Sequence, residues 1–73
     1  MRQDEVESML NTNPFVPFYL HLSDGRSIKI EHRDFVWTSK HRITIGIPSG
    51  EGRRVDREEK VSLLHIVSLE EAA

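Results

Sequence analysis

The sequence predicts a mainly β fold: a short N-terminal helix followed by five bent strands that close into a small barrel. Three observations carry this expectation. Phe18, Leu20 and Leu22 alternate with Tyr19 and His21, the period of a strand with one buried face. Ile28 and Ile30 alternate with Ser27, Lys29 and Glu31, and Arg42 to Ile47 alternates again. Five short strands are too few for a large sandwich, whereas a closed, strongly bent sheet removes the exposed edges that invite aggregation. The 73 residues are read as one domain, with a helix over 3–11 and the barrel over 17–70.

Residues 3–11 suit an amphipathic helix, because Val6, Met9 and Leu10 fall at i, i+3 and i+4. Asp4 and Glu5 set negative charge at the positive end of its dipole. So short a helix needs tertiary packing to persist, and it is expected to lie across an open end or face of the sheet. Asn13-Pro14 stops it, since a residue before proline is pushed out of the α region. Pro14 and Pro17 then fix an extended lead-in flanked by Phe15 and Phe18, which anchor it in the core.

The register of the first hairpin follows from its faces. A two-residue Asp24-Gly25 turn would set Leu20 opposite Lys29, although facing residues must share a face. A three-residue loop, Ser23-Asp24-Gly25, instead sets Leu20 opposite Ile28 and Phe18 opposite Ile30, with Gly25 left-handed and a bulge beside it. This parity turns His21 outward and His32 inward. Phe35, Val36 and Trp37 are consecutive and cannot share one strand face, so a turn or single helical turn is expected around Asp34-Phe35, with a strand re-entering near Trp37. Residues 42–47 form the third strand and 48–52 a mobile loop.

From Arg53 onward two readings compete. Good helix formers allow a helix over 56–65, while the alternation of Val61-Ser62-Leu63 and Val67-Ser68-Leu69 and the β-branched content favour strands. The strand reading places a fourth strand over about 55–63, a turn through Leu64-His65-Ile66, a fifth strand at 67–70, and a frayed tail over 70–73.

Zero cysteines exclude disulfides and thiolate metal sites, in keeping with a reducing cytoplasm. No apolar run approaches membrane-spanning length, and no leader precedes the first helix, so a soluble cytoplasmic protein is expected. The net charge of −2 supplies no general attraction to nucleic acid or anionic membrane. Charge is uneven, however: Arg26, Lys29, Arg33, Lys40 and Arg42 concentrate in the centre and the flanks are acidic.

Pro14-Phe15-Val16-Pro17-Phe18, Asp24-Gly25-Arg26 and His32 to Phe35-Val36 resemble short uncharacterised bacterial proteins with a P-F-x-P-F…D-G-R…H-x-x-F-V pattern. Their H-I-x-x-[IL] ending is matched by His65-Ile66-Val67-Ser68-Leu69, while Arg33 stands where a proline often follows the histidine. That resemblance, over about residues 13–70, implies no activity. A wider likeness, a helix followed by five bent strands, is to the Sm-like RNA-binding proteins, so the barrel is expected to be SH3-like or Sm-like. Their loop signatures are incomplete here: Trp37-Thr38 follow Val36, and Leu64-His65-Ile66 stands where a basic residue and a glycine belong. The likeness bears on fold more than on RNA.

The four histidines have neither metal-ligand spacing nor a cysteine partner. No G-x-S-x-G elbow marks a nucleophile, and Glu58-Glu59 and Glu70-Glu71 read as solubilising charge. Ser49-Gly50-Glu51-Gly52 lacks the lysine of a nucleotide loop. The sequence thus implies no cofactor, no metal and no enzyme. The candidate binding face is Tyr19, Lys29, Arg33, Trp37, Lys40, His41 and Arg42, cations interleaved with aromatic rings. The expected function is a non-enzymatic interaction module for a protein partner or a second copy of the chain. The alternative is single-stranded nucleic acid on the 29–42 face.

Overall fold

Helix α1 (Gln3–Leu10) is followed, among the described residues, by six strands: β1 (Phe18–Leu22), β2 (Ser27–Ile30), β3 (Val36–Thr38), β4 (Arg42–Pro48), β5 (Val55–Ser62) and β6 (Ile66–Glu71). The computed structural model describes residues 1–48 and 55–72. Two 3-10 turns, Arg33–Phe35 and Leu63–His65, precede β3 and β6. The strands form two antiparallel three-stranded sheets, ordered β2-β1-β6 and β3-β4-β5.

The hairpin register is the one that face matching requires. Phe18 pairs with Ile30 and Leu20 with Ile28, and Gly25 has φ +93°. Leu22 donates to the Arg26 carbonyl at 2.8 Å, and Gly25 donates back to Leu22 at 3.0 Å, closing the loop over Ser23-Asp24-Gly25. The irregularity in β1 lies on its other side, against β6 between His21 and Leu22, where the ladder steps from Ser68 to Ile66 and turns Val67 out.

Several expectations are corrected. Among the described residues there are six strands rather than five, because the turn at Arg33–Phe35 interrupts the chain after β2 and leaves Val36–Thr38 as a separate short strand against β4. The barrel is not closed: among the described residues no ladder joins the two sheets. His32 is exposed rather than inward, since β2 ends at Ile30 and the strand parity stops there. Its ring instead meets Phe35 edge-on at 5.9 Å. Glu70 and Glu71 do not fray, because they pair with Tyr19 and Phe18, and Ala72 donates to the Pro17 carbonyl at 2.8 Å. Residues 56–65 are strand and 3-10 turn, not α-helix. Of the loop expected over 48–52, Pro48 still pairs with Val55, and the rest lies outside the described residues.

One core serves both sheets. Phe18, Leu20, Leu22 and Ile30 from the first meet Ile43, Ile45 and Val61 from the second, with Leu63 and Ile66 from the link between β5 and β6. Each such side chain contributes about 1.5–3 kcal/mol on burial. Val6 and Leu10 of α1 complete the cluster, and Phe15 packs edge-on against Phe18 at 6.2 Å. Helix and second sheet are also tied by polar groups: Gln3 Nε2 donates to Thr38 Oγ1 at 3.3 Å, and Thr38 donates to Glu7 at 2.8 Å. Tertiary contacts on this scale hold a helix too short to form alone.

Candidate functional site

Register fixes what the outer face of the second sheet presents. Ile43 and Ile45 are buried, so their neighbours Arg42, Thr44 and Gly46 face outward. Arg42 lies opposite Ser62, and Thr44 lies between Trp37 and Lys60. Gly46 lies opposite Glu58. Trp37 is 52% exposed, and Val55 lies beside it, also exposed. Gly46 makes their approach feasible: a Cβ there would stand 3.1 Å from Val55 Cγ2 and 3.4 Å from Trp37 Cζ3. An indole and a valine thus close over a bare strand to make an apolar surface edged by charge.

The Lys40-His41 turn between β3 and β4 is closed by Ser39 donating to the Arg42 carbonyl at 2.9 Å. Around Ser62 three open depressions share walls. One is lined by Arg2, Lys40, His41 and Leu64, the next by His41, Arg42 and Lys60, and the third by Arg26, Lys60 and His65. Arg2 is neutralised by Asp4 at 3.0 Å. Lys40, Arg42 and Lys60 have no carboxylate within salt-bridge distance among the described residues. These cations form an unneutralised band across the turn and the end of β5.

The outer face of the first sheet holds a different cluster. His21 stacks on Tyr19 at 6.1 Å, and Lys29 Nζ lies 5.9 Å from the Tyr19 ring. Both imidazole nitrogens of His21 are engaged: Nδ1 is 2.8 Å from Ser27 Oγ and Nε2 is 2.8 Å from Glu70 Oε1. A second histidine, His65, meets Ser23 Oγ through Nδ1 at 3.2 Å.

At the hairpin tip the Arg26 backbone N–H donates to Asp24 Oδ1 at 3.0 Å, and its guanidinium to Oδ2 at 2.8 Å. These bonds hold the Asp24 carboxyl below the ordinary aspartate range, and Asp24 with Glu59 raises the Arg26 guanidinium. A depressed carboxyl favours the folded state above its unfolded value, and that contribution fades as pH falls through the lowered one. In an NMR titration Asp24 should therefore titrate at lower pH than an unstructured aspartate. In Arg26→Ala it should move only part of the way back, because the backbone donor remains.

The residues proposed from sequence fall in three places. Trp37 and Arg42 share the outer face of the second sheet, with Lys40 and His41 on the adjoining turn. Tyr19 and Lys29 lie together on the first sheet, and Arg33 is exposed on the 3-10 turn before β3. No ring contact links Trp37 to Tyr19 among the described residues. Sequence reasoning missed Gly46, which joins Trp37 through the β3–β4 register, and Lys60 and Val55, which join it only through the β4–β5 register as well. It also missed Ser27 and Glu70, which join His21 only through its two strand partners. An apolar groove of about 310 Å³ between Ile30, Phe35 and Ile47 was likewise not foreseen. No helix is long and apolar enough to cross a membrane, and no group of three metal-ligating side chains occurs among the described residues. Comparison with models of protein families, with curated protein sequences and with solved structures returns no match.

Proposed function

We propose that the chain is a small non-enzymatic interaction module that takes another polypeptide, in the first instance a second copy of itself, along β5 and the Trp37–Val55 surface. The observation carrying this reading is that β5, at 8 residues the longest strand among the described residues, has a ladder partner there on one side only and carries Val55, exposed beside Trp37. An unpaired edge offers a row of backbone donors and acceptors to an incoming strand. The mixed charges of Asp56, Arg57, Glu58 and Lys60 resist indiscriminate pairing and select a matched register. A 73-residue chain without cysteine has a small core and no covalent staple, and association is a common remedy for that shortage.

In this reading the architecture is a partly open SH3-like or Sm-like barrel. The continuous second strand of that plan is split into β2 and β3 by the Arg33–Phe35 turn, and β6 returns to β1. The proposed relationship to short bacterial proteins with the P-F-x-P-F…D-G-R pattern extends the same reading. Size-exclusion chromatography with light scattering on untagged protein should give a mass above the monomer that falls on dilution. A monomer at all concentrations would reject self-association.

Lys40, Arg42 and Lys60, without an ion-pair partner among the described residues and on the same sheet and turn as the exposed Trp37, favour a second reading, single-stranded nucleic acid held by phosphate contacts and base stacking. Absorbance at two wavelengths during the same chromatography would register co-purifying nucleic acid. Lys40→Glu with Arg42→Glu should abolish binding to a single-stranded RNA at low salt while leaving the circular dichroism spectrum unchanged. Absence of binding by the unaltered protein would dispose of this reading.

A further inference from the structure

Hydrogen-bonded chains of hydroxyl, imidazole and carboxylate have a chemical consequence wherever they occur, because the base that accepts the hydroxyl proton is oriented by the acid. Ser27, His21 and Glu70 form such a chain across all three strands of the first sheet. Ser27 lies opposite His21 in β2, and Glu70 is the β6 partner of Tyr19, two residues from His21 and on the same face of the sheet. An ionised carboxylate can only accept, so Glu70 takes the proton on Nε2 and leaves the Nδ1 lone pair for the Ser27 hydroxyl, at 2.8 Å each. The His21 side chain is about one-third exposed at 32%, Glu70 is more open at 67%, and Ser27 is exposed, so a reagent can reach the hydroxyl. The molecule also carries its own control: Ser23 meets His65 at a longer 3.2 Å, and His65 has no carboxylate bound among the described residues.

We propose that Ser27 is a nucleophilic modification site that takes an acyl group from small activated esters or thioesters, with His21 as its base and Glu70 as the positioning residue. Ser27 Oγ attacks the acyl carbon while its proton passes to His21 Nδ1. The tetrahedral adduct then collapses, the bond to the leaving group breaks, and the Nδ1 proton leaves with that group. The products are an ester on Ser27 and a free alcohol or thiol. Because the face is open, water solvates the transient oxyanion in place of a built set of donors. This restricts the reaction to donors with good leaving groups and favours a single acyl transfer over rapid turnover.

The test is to treat the folded protein with p-nitrophenyl acetate near neutral pH and to map the acetyl group by peptide mass spectrometry. The expected result is an adduct on the Ser27 peptide in the wild type and in Ser23→Ala, and none at that position in Ser27→Ala. Removing the base in His21→Gln should slow acylation by on the order of 10²–10⁴-fold. In Glu70→Ala acylation of Ser27 should slow, and Glu70→Asp, which keeps a carboxylate acceptor for the Nε2–H, should recover part of the rate. A merely structural Glu70 would leave the Ser27 acylation rate of the folded Glu70→Ala protein unchanged. Labelling confined to amines, equal labelling of Ser23 and Ser27, or an unchanged rate in His21→Gln would each overturn the proposal. Peptide mapping of the wild type decides the site even if a variant fails to fold.

Discussion

Phe18→Ala is expected to destabilise the protein by about 3–5 kcal/mol, the cost of emptying a fully buried aromatic site. Phe18 is 0% exposed and sits in the central strand of its sheet, with Ile30 beside it and Phe15 edge-on. Small domains hold only roughly 0.05–0.15 kcal/mol per residue in reserve. A loss of this size is a large share of the roughly 4–11 kcal/mol that this gives a 73-residue chain. Urea unfolding followed by far-UV circular dichroism should show a midpoint shifted strongly downward, or no folded baseline at all. A midpoint within a few tenths molar of the wild type would mean that Phe18 is not the anchor its burial indicates.

Ile43→Ala has the next largest expected effect, about 2–5 kcal/mol, and it asks a different question. Ile43 is also 0% exposed but belongs to β4, the central strand of the other sheet, where it lies between Thr38 and Val61. No ladder joins the two sheets among the described residues, so their cooperation rests on the shared apolar cluster and on α1. If that cluster is one core, Ile43→Ala must lower amide protection in β1 and β6 as much as in β4 and β5. Loss of protection confined to the second sheet would show two separately stable halves.

The first hairpin was legible because a one-residue slip would turn every apolar side chain of β2 to solvent. One alternating run and one glycine therefore sufficed to place Leu20 opposite Ile28 and to require the left-handed Gly25. Less local features were harder to read. The β5 segment is rich in Glu, Lys and Arg, which also suit a helix, and only its pairing with β4 makes it a strand. The acidic end of the chain reads as a loose tail, yet β1 needs a second partner along its whole length and takes Glu70 and Glu71 to supply it. Inward parity could not be carried to His32, because the strand ends two residues earlier.

The candidate site divides on the same lines. Lys40, His41 and Arg42 are neighbours in sequence and remain neighbours on the turn. The Trp37 surface depends on Gly46 of β4 and on Val55, which reaches it only across β4. His21 and Glu70 are 49 residues apart and meet solely through the β1–β6 register. Long-range register is what a single sequence specifies least, and both candidate clusters depend on it.

The most direct test of the proposed association is a two-dimensional amide NMR spectrum recorded over a range of protein concentrations. Self-association along the free edge of β5 predicts concentration-dependent shifts or broadening confined to Val55–Ser62 and the Trp37 indole, with β1 and β2 unmoved. A spectrum that does not change with concentration, or changes centred on the first sheet, would contradict it.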